Sequence, residues 1–262
     1  MNKVPDDRRD RILEALEKHG YLSVADLADM MFVSIPTIRR DLTVLENEGS
    51  LVRTHGGASY LSDFAAASPF SLRYRENVEQ KRMIARTAAK LVSNGDSLFL
   101  DSSSTSQVLV QQFPEDISLT VLTNAMFIAR EFSGRKNVRV EIPGGTYDPK
   151  HEAVFEAPAV DFIKKRNADW FFFSCNGYDA KKGATSSTHL DGPVKRMMHE
   201  NATKTVLLID HSKESKICYY HLFNWDEIDY LVTDKPLPSE LQEVCEACGT
   251  TIMTPRFITK NR

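Results

Sequence analysis

The residues able to do chemistry in this 262-residue chain fall into two groups. The first, within residues 34–55, is basic, hydroxylated and amide-bearing: Ser34, Pro36, Thr37, Arg39, Arg40, Thr43, Asn47, Arg53, Thr54 and His55. Guanidinium, hydroxyl and amide groups are those that contact phosphates and base edges. The second group follows short apolar runs further on: Asp101-Ser102-Ser103-Ser104-Thr105, Thr123-Asn124, Gly144-Gly145, Asn176-Gly177, and Asp210 with Lys213, to which Lys195 is added. If residues 103–105 open a helix, several N–H and O–H donors gather where an anion such as phosphate is favoured. Asp101 and Asp210 would then accept from sugar hydroxyls, and Lys195 or Lys213 would neutralise the phosphate. Taken singly, each of these residues is equally ordinary turn chemistry. Five successive run ends of this kind weigh against that simpler account.

The other candidates are weaker. His151, His189 and His199 fall at no metal-ligand spacing, and Cys245-x-x-Cys248 has no second pair to complete a site, so neither a metal nor a cofactor is expected. No acid/base pair identifies itself as catalytic. His189 and Asp191 suit a solvated loop beside the ligand mouth, and Trp225 a subunit contact. Residues 171–173, three phenylalanines in a row, suit a core.

The first group needs a helix to present it. Ser34 is a good N-cap, Pro36 falls in the first turn where its missing N–H costs nothing, and Ile35, Ile38, Leu42 and Leu45 make one apolar stripe. Arg40 and Asn47 project opposite that stripe, with Pro36, Thr37, Thr43 and Val44 beside them. An ordinary surface helix has the same pattern, so its neighbours decide. Residues 8–18 form a first helix ended by Gly20. Ser23 caps a second, with Asp26 three residues on. Three short helices with a tight turn before the third make a helix-turn-helix. Residues 51–52 and 59–61 then pair as strands around Gly56-Gly57, giving a wing that carries Arg53, Thr54 and His55, or a plain hairpin that closes the small core.

Charge speaks against a simple nucleic-acid binder. The net charge is −3, and residues 1–58 hold eight Lys/Arg against ten Asp/Glu. Arg39, Arg40, Arg53 and His55 cluster on the third helix and just after it, while the acids lie mostly on other helices, so affinity is expected to be modest per copy and to depend on paired subunits. A content of 42% hydrophobic and 26% charged residues fits a soluble globular protein. No apolar run has membrane-spanning length, the first nine residues hold no signal peptide, and four cysteines suit a reducing cytoplasm.

Residues 61–78 are rich in Ala and Ser and suit a linker, followed by a helix over residues 79–91. Apolar runs at 98–100, 119–122, 138–142, 170–173, 206–209, 230–232 and 251–253 alternate with helical stretches. That alternation predicts an α/β domain over residues 79–262 with a mostly parallel, buried sheet. Ligands of such sheets bind at the carboxyl ends of the strands, where the second group lies.

Leu27-Ala28, Val33-Ser34, Thr37-Ile38-Arg39-Arg40-Asp41-Leu42, Leu45-Glu46, Gly49 and Arg53-Thr54-His55-Gly56-Gly57-Ala58 resemble the winged helix of DeoR-type bacterial transcriptional regulators. The resemblance implies that residues 1–60 bind operator DNA in a sequence-specific way, usually to repress a carbohydrate-use operon. Asp101 with Thr105, Thr123-Asn124, Gly144-Gly145, Asn176-Gly177 with Gly183, Lys195, and Asp210 with Ser212-Lys213 resemble the sensor domain of the same family, whose fold is similar to that of ribose-5-phosphate isomerase. The family's Asp-x-Gly-Thr-Thr is altered here, with Ser103-Ser104 in place of Gly-Thr, and its glycine near Glu156-Ala157 is missing. A phosphorylated sugar effector and a homodimer or homotetramer are the implied partners. Two other functions compete: an isomerase-like enzyme with an accessory N-terminal domain, and a helix-turn-helix used only for protein contacts.

Overall fold

The computed structural model describes residues 3–19, 21–47, 50–54, 56–60, 73–74 and 76–255. The chain divides into two compact units, Met1–Pro69 and Phe70–Arg262.

In the first unit α1 spans Lys3–His19, α2 Val24–Met31 and α3 Ile35–Asn47. Ser23 caps α2 through a full capping box, accepting from the Asp26 amide at 3.1 Å while the Asp26 carboxylate accepts from the Ser23 amide. The turn into α3 runs through Phe32, a left-handed residue at φ 55°. Ile12, Leu16, Leu27, Ile38, Leu42 and Leu45 are buried together as the core. Ile35 leaves the expected stripe: at the first position of α3 it projects beyond the core and is 42% exposed. In the stripe's place stands a charge. Asp41 is 3% exposed and accepts from Arg8 Nε at 2.7 Å and Arg9 Nε at 3.4 Å, which ties α3 to α1.

The wing is longer than the sequence pattern indicates. β2 (Leu51–Thr54) pairs antiparallel with β3 (Gly57–Tyr60), and Gly56 turns the chain at φ 101°, which only glycine adopts freely. A short strand before α2, β1 (Tyr21–Ser23), completes the sheet in the order β1-β3-β2. His55 and the linker body 61–72 lie outside the described residues.

The second unit opens with α4 (Val78–Ala88) and is built on seven parallel strands: β4 (Ser97–Leu100), β5 (Leu119–Thr123), β6 (Val138–Glu141), β9 (Ala168–Phe173), β12 (Ala202–Ile209), β14 (Tyr230–Thr233) and β15 (Thr251–Met253), in the order β15-β14-β12-β9-β4-β5-β6. Helices cover the sheet, so its central strands are apolar on both faces, with Phe171, Phe172 and Phe173 fully buried. Helices α5 (Ser104–Val110), α6 (Met126–Glu131), α7 (Ala157–Ile163), α8 (Gly192–Glu200) and α9 (Ser239–Cys248) lie between strands. Two antiparallel pieces were not foreseen: the hairpin β7 (Tyr147–Asp148) with β8 (Ala153–Val154), and a small sheet of β10 (Gly177–Asp179), β11 (Gly183–Ser186) and β13 (Tyr220–Phe223). Trp225, expected at a subunit contact, is instead 4% exposed, and its indole N–H is shared between the carbonyls of Asp179 and Ala180 at 3.1 Å each.

Candidate nucleic-acid interface and ligand site

In the first unit the polar face of α3 stands clear of the core. Ser34, Pro36, Arg39, Arg40, Thr43 and Asn47 are exposed and Thr37 half-buried. The Ser34 hydroxyl pairs with the Thr37 hydroxyl at 2.9 Å, and the Ser34 carbonyl accepts from the Thr37 and Ile38 amides. Arg53 reaches from the wing to α3, donating to Thr43 Oγ1 at 3.0 Å and lying 3.7 Å from Glu46, while the Thr43 hydroxyl donates to the Arg39 carbonyl. Among the described residues no ion pair holds Arg39 or Arg40, so both guanidinium groups are available to an outside partner. Asp41 does not oppose an anion there, because Arg8 and Arg9 neutralise it inside the unit. Thr54 ends β2.

In the second unit the strand order reverses between β4 and β9, and the second group converges there. Asp101, at the end of β4, is 1% exposed. One of its oxygens accepts from the Ser103 amide at 3.2 Å and the Ser106 hydroxyl at 2.6 Å; the other accepts from the Ser174 amide at 3.0 Å, across the reversal. Lys195, on α8, is 5% exposed and donates to the Ser174 carbonyl at 2.8 Å, with Asp191 at 2.6 Å and Asp101 at 3.3 Å. Burial alone would lower the Lys195 ammonium; Asp191 and Asp101 outweigh it and hold the group above its ordinary value. The Lys195 ammonium thus has one hydrogen bond and two carboxylate neighbours in the chain, and Asp101 spends both oxygens on the strand ends. In both residues the chemistry expected for a ligand is engaged in the frame. Asp191, expected in a solvated loop, is half-buried as part of that frame, whereas His189 is exposed.

Asp210 differs. It is 1% exposed at the end of β12; Oδ1 accepts from the Ser212 amide and hydroxyl and from Asn77 Nδ2 at 3.4 Å, while Oδ2 is buried with no hydrogen-bond partner. Burial would raise its carboxyl, but Lys213, the Ser212 bonds and Lys81 outweigh that and hold it below the ordinary carboxylate value. Lys213 donates to Ser174 Oγ at 3.0 Å. Lys81, on α4, is 3% exposed and donates to the carbonyls of Arg73 and Glu76; burial first, then the neighbouring Lys213, push its ammonium down to about 8. Arg73 lies in the fields of Asp191 and Asp101, whose attraction only partly offsets the lowering caused by its burial.

The remaining strand-end residues are held by caps, backbone bonds and close packing. Ser103 caps α5, accepting from the Ser106 amide at 3.1 Å, and Ser104 Oγ donates to the Arg73 carbonyl at 3.1 Å. Ser102 and Thr105 are buried beside them, and the amides of Ser104 and Thr105 have no acceptor within the helix. Thr123 Oγ1 accepts from the Ala125 amide; Asn124 donates to the Val154 carbonyl at 2.9 Å and keeps a buried, unpartnered Oδ1. Gly144 and Gly145 are exposed after β6. Asn176 Oδ1 accepts from Ser186 Oγ and the Ser187 amide. A Cβ on Gly177 would strike the Lys216 carbonyl, so close backbone packing explains that glycine. Cys175 is buried and its thiol is pushed up to about 11 by burial, which leaves no thiolate for nucleophilic chemistry near neutrality.

Sequence reasoning missed Asn77 and Lys81. Lys81 carried a signal: it shares the buried face of α4 with Ile84, Ala85 and Ala88, where a cation needs a reason.

Residues 8–64 match the family described as DeoR-like helix-turn-helix domain, and residues 76–235 match DeoR C terminal sensor domain. The L-fucose operon activator of Haemophilus influenzae is 37% identical over 91% of this chain and 96% of its own. The HTH-type transcriptional regulator GlpR of Haloferax volcanii is 30% identical over 95% of this chain and 98% of its own. The glycerol-3-phosphate regulon repressor of Escherichia coli is 27% identical over 90% and 94%. Among solved structures, ribose 5-phosphate isomerase A from Methanocaldococcus jannaschii overlays at TM-score 0.40 and 15% identity, covering 54% of this chain and 56% of that one.

Proposed function

Since this chain belongs to the DeoR-type transcriptional regulators, we propose that it binds operator DNA of a carbohydrate-use operon through α3 and the wing, and that a phosphorylated sugar bound at the strand ends of the second unit controls that binding. Arg39 and Arg40 supply phosphate and base contacts from an exposed helix face, with Arg53 bracing the wing against it. The observation that carries the effector reading is the unpartnered, buried Asp210 Oδ2 beside the cations Lys213 and Lys81. A buried acceptor without a donor is costly. A ligand that brings hydroxyl donors for Asp210 and an anion for the lysines satisfies both needs together. Asn124 Oδ1, also buried and unpartnered, is a second acceptor for a hydroxyl.

Isothermal titration of the full chain with a panel of sugar monophosphates, each matched by its unphosphorylated parent, tests this. The reading expects one phosphate to bind, its parent sugar to bind far more weakly, and Lys213→Ala to remove most of the difference. Equal affinity for a sugar and its phosphate would overturn it.

Repression released by the effector is the regulatory sign we propose. Activation is the second reading, and a specific observation favours it: the relative at 37% identity is named an operon activator. The family places this chain among regulators, and an isomerase-like function has no catalytic pair to support it among the described residues.

A further inference from the structure

We propose that Asn77 is the relay between the ligand site and the DNA-binding unit. Its side-chain amide holds the start of the sensor unit onto Asp210, and the effector acts by releasing it. This rests on the effector reading above.

Asn77 occupies the N-cap of α4, a place where asparagine ordinarily accepts from an amide in the first helical turn. Here it makes no such bond. Its Nδ2 instead donates to Ser212 Oγ at 3.0 Å and Asp210 Oδ1 at 3.4 Å, both at the end of β12 and more than 130 positions away in sequence. Three further bonds hold the same short segment to the strand ends or to itself: Ser104 Oγ donates to the Arg73 carbonyl at 3.1 Å, and the buried Lys81 ammonium donates to the carbonyls of Arg73 and Glu76. The chain leading back from this segment is the covalent connection to the first unit.

A ligand phosphate that draws Lys81 competes with its bonds to the Arg73 and Glu76 carbonyls, and a ligand hydroxyl donating to the free Asp210 Oδ2 pulls on the carboxylate whose Oδ1 Asn77 and Ser212 hold. Occupancy at the strand ends is thereby converted into a change at the chain entry, a two-state element biased by both sites. The Asn77 backbone is left-handed at φ 49°, a conformation open to Asn, Asp and Gly.

The test uses Asn77→Gly and Asn77→Asp in the full chain. Glycine keeps the left-handed backbone and removes the amide. Aspartate tolerates the same left-handed backbone but sets a carboxylate against Asp210. Operator affinity is measured by anisotropy on a duplex selected from a random pool by the parent protein. It is measured without ligand and with D-ribose 5-phosphate or glycerol 3-phosphate as probes.

The proposal expects both variants, without ligand, to shift operator affinity about fivefold or more. A probe that binds should move the parent in that same direction and move the variants little. Parent-like affinity in both variants, with a probe still acting on them, overturns the relay and leaves the effector site standing. A shift in Asn77→Gly alone marks a loosened backbone at residue 77, where the side chain makes no capping bond, and also overturns it. If neither probe binds and both variants shift, the relay stands while these compounds fail as effectors.

Discussion

At the scale of single residues, the two sites use their charges differently. Arg40 is exposed and its guanidinium is unpaired among the described residues. Arg40→Ala is therefore expected to weaken operator binding by about 1–3 kcal/mol while leaving the denaturant midpoint in place. Asp41 is the opposite case: only 3% exposed and held by Arg8 and Arg9. Asp41→Asn should lower the stability of the first unit by about 2 kcal/mol, read as a shift in urea midpoint at constant slope. Asp210, Asp148 and Glu227 are carboxylates held below their ordinary values, where burial works against neighbouring cations and hydrogen bonds that prevail. A carboxylate depressed in the fold contributes stability above its unfolded value and loses it as pH falls through the folded one. Unfolding measured against pH should thus show stability declining once pH drops below about 4. The role of Asp41 was not visible in the sequence, because its partners sit 33 and 32 positions away on another helix.

At the scale of elements, the seven parallel strands were legible because a strand buried on both faces reads as an uninterrupted apolar run. The carboxyl-end loops were legible for the same reason, since each begins where an apolar run stops. The small sheet of β10, β11 and β13 was not, because its strands are three or four residues long and β11 pairs with β13 across a register shift. Nor was the division of labour among the site residues. Asp101 and Lys195 look like ligand groups in sequence, yet they close the reversal between β4 and β9. Lys81 was hidden as one charge within a helix. Its depressed ammonium gives α4 a pH signature. Folded Lys81 loses its proton near pH 8, whereas the unfolded chain keeps it to about 10.4, so stability should rise with pH across that window. Over the same rise, affinity for an anionic effector should fall, and Lys81→Met should flatten both trends, as titration calorimetry at several pH values would show.

At the scale of the molecule, a net charge of −3 and an N-terminal region with more acids than bases leave little general attraction for DNA. Specific binding then has to come from a few well-placed arginines used more than once, which is why an even-numbered oligomer on two half-sites is the proposed binding form. Few phosphate contacts per copy also imply a shallow dependence of affinity on salt. The most direct measurement of the central claim is fluorescence anisotropy of the purified chain on labelled DNA from upstream of its own gene and that gene's neighbours, at fixed salt, with a panel of sugar phosphates titrated in. The account predicts competitor-resistant binding to one fragment and a change in that binding with one phosphorylated sugar. Absence of specific binding to any fragment, or specific binding that no sugar phosphate alters, would contradict it.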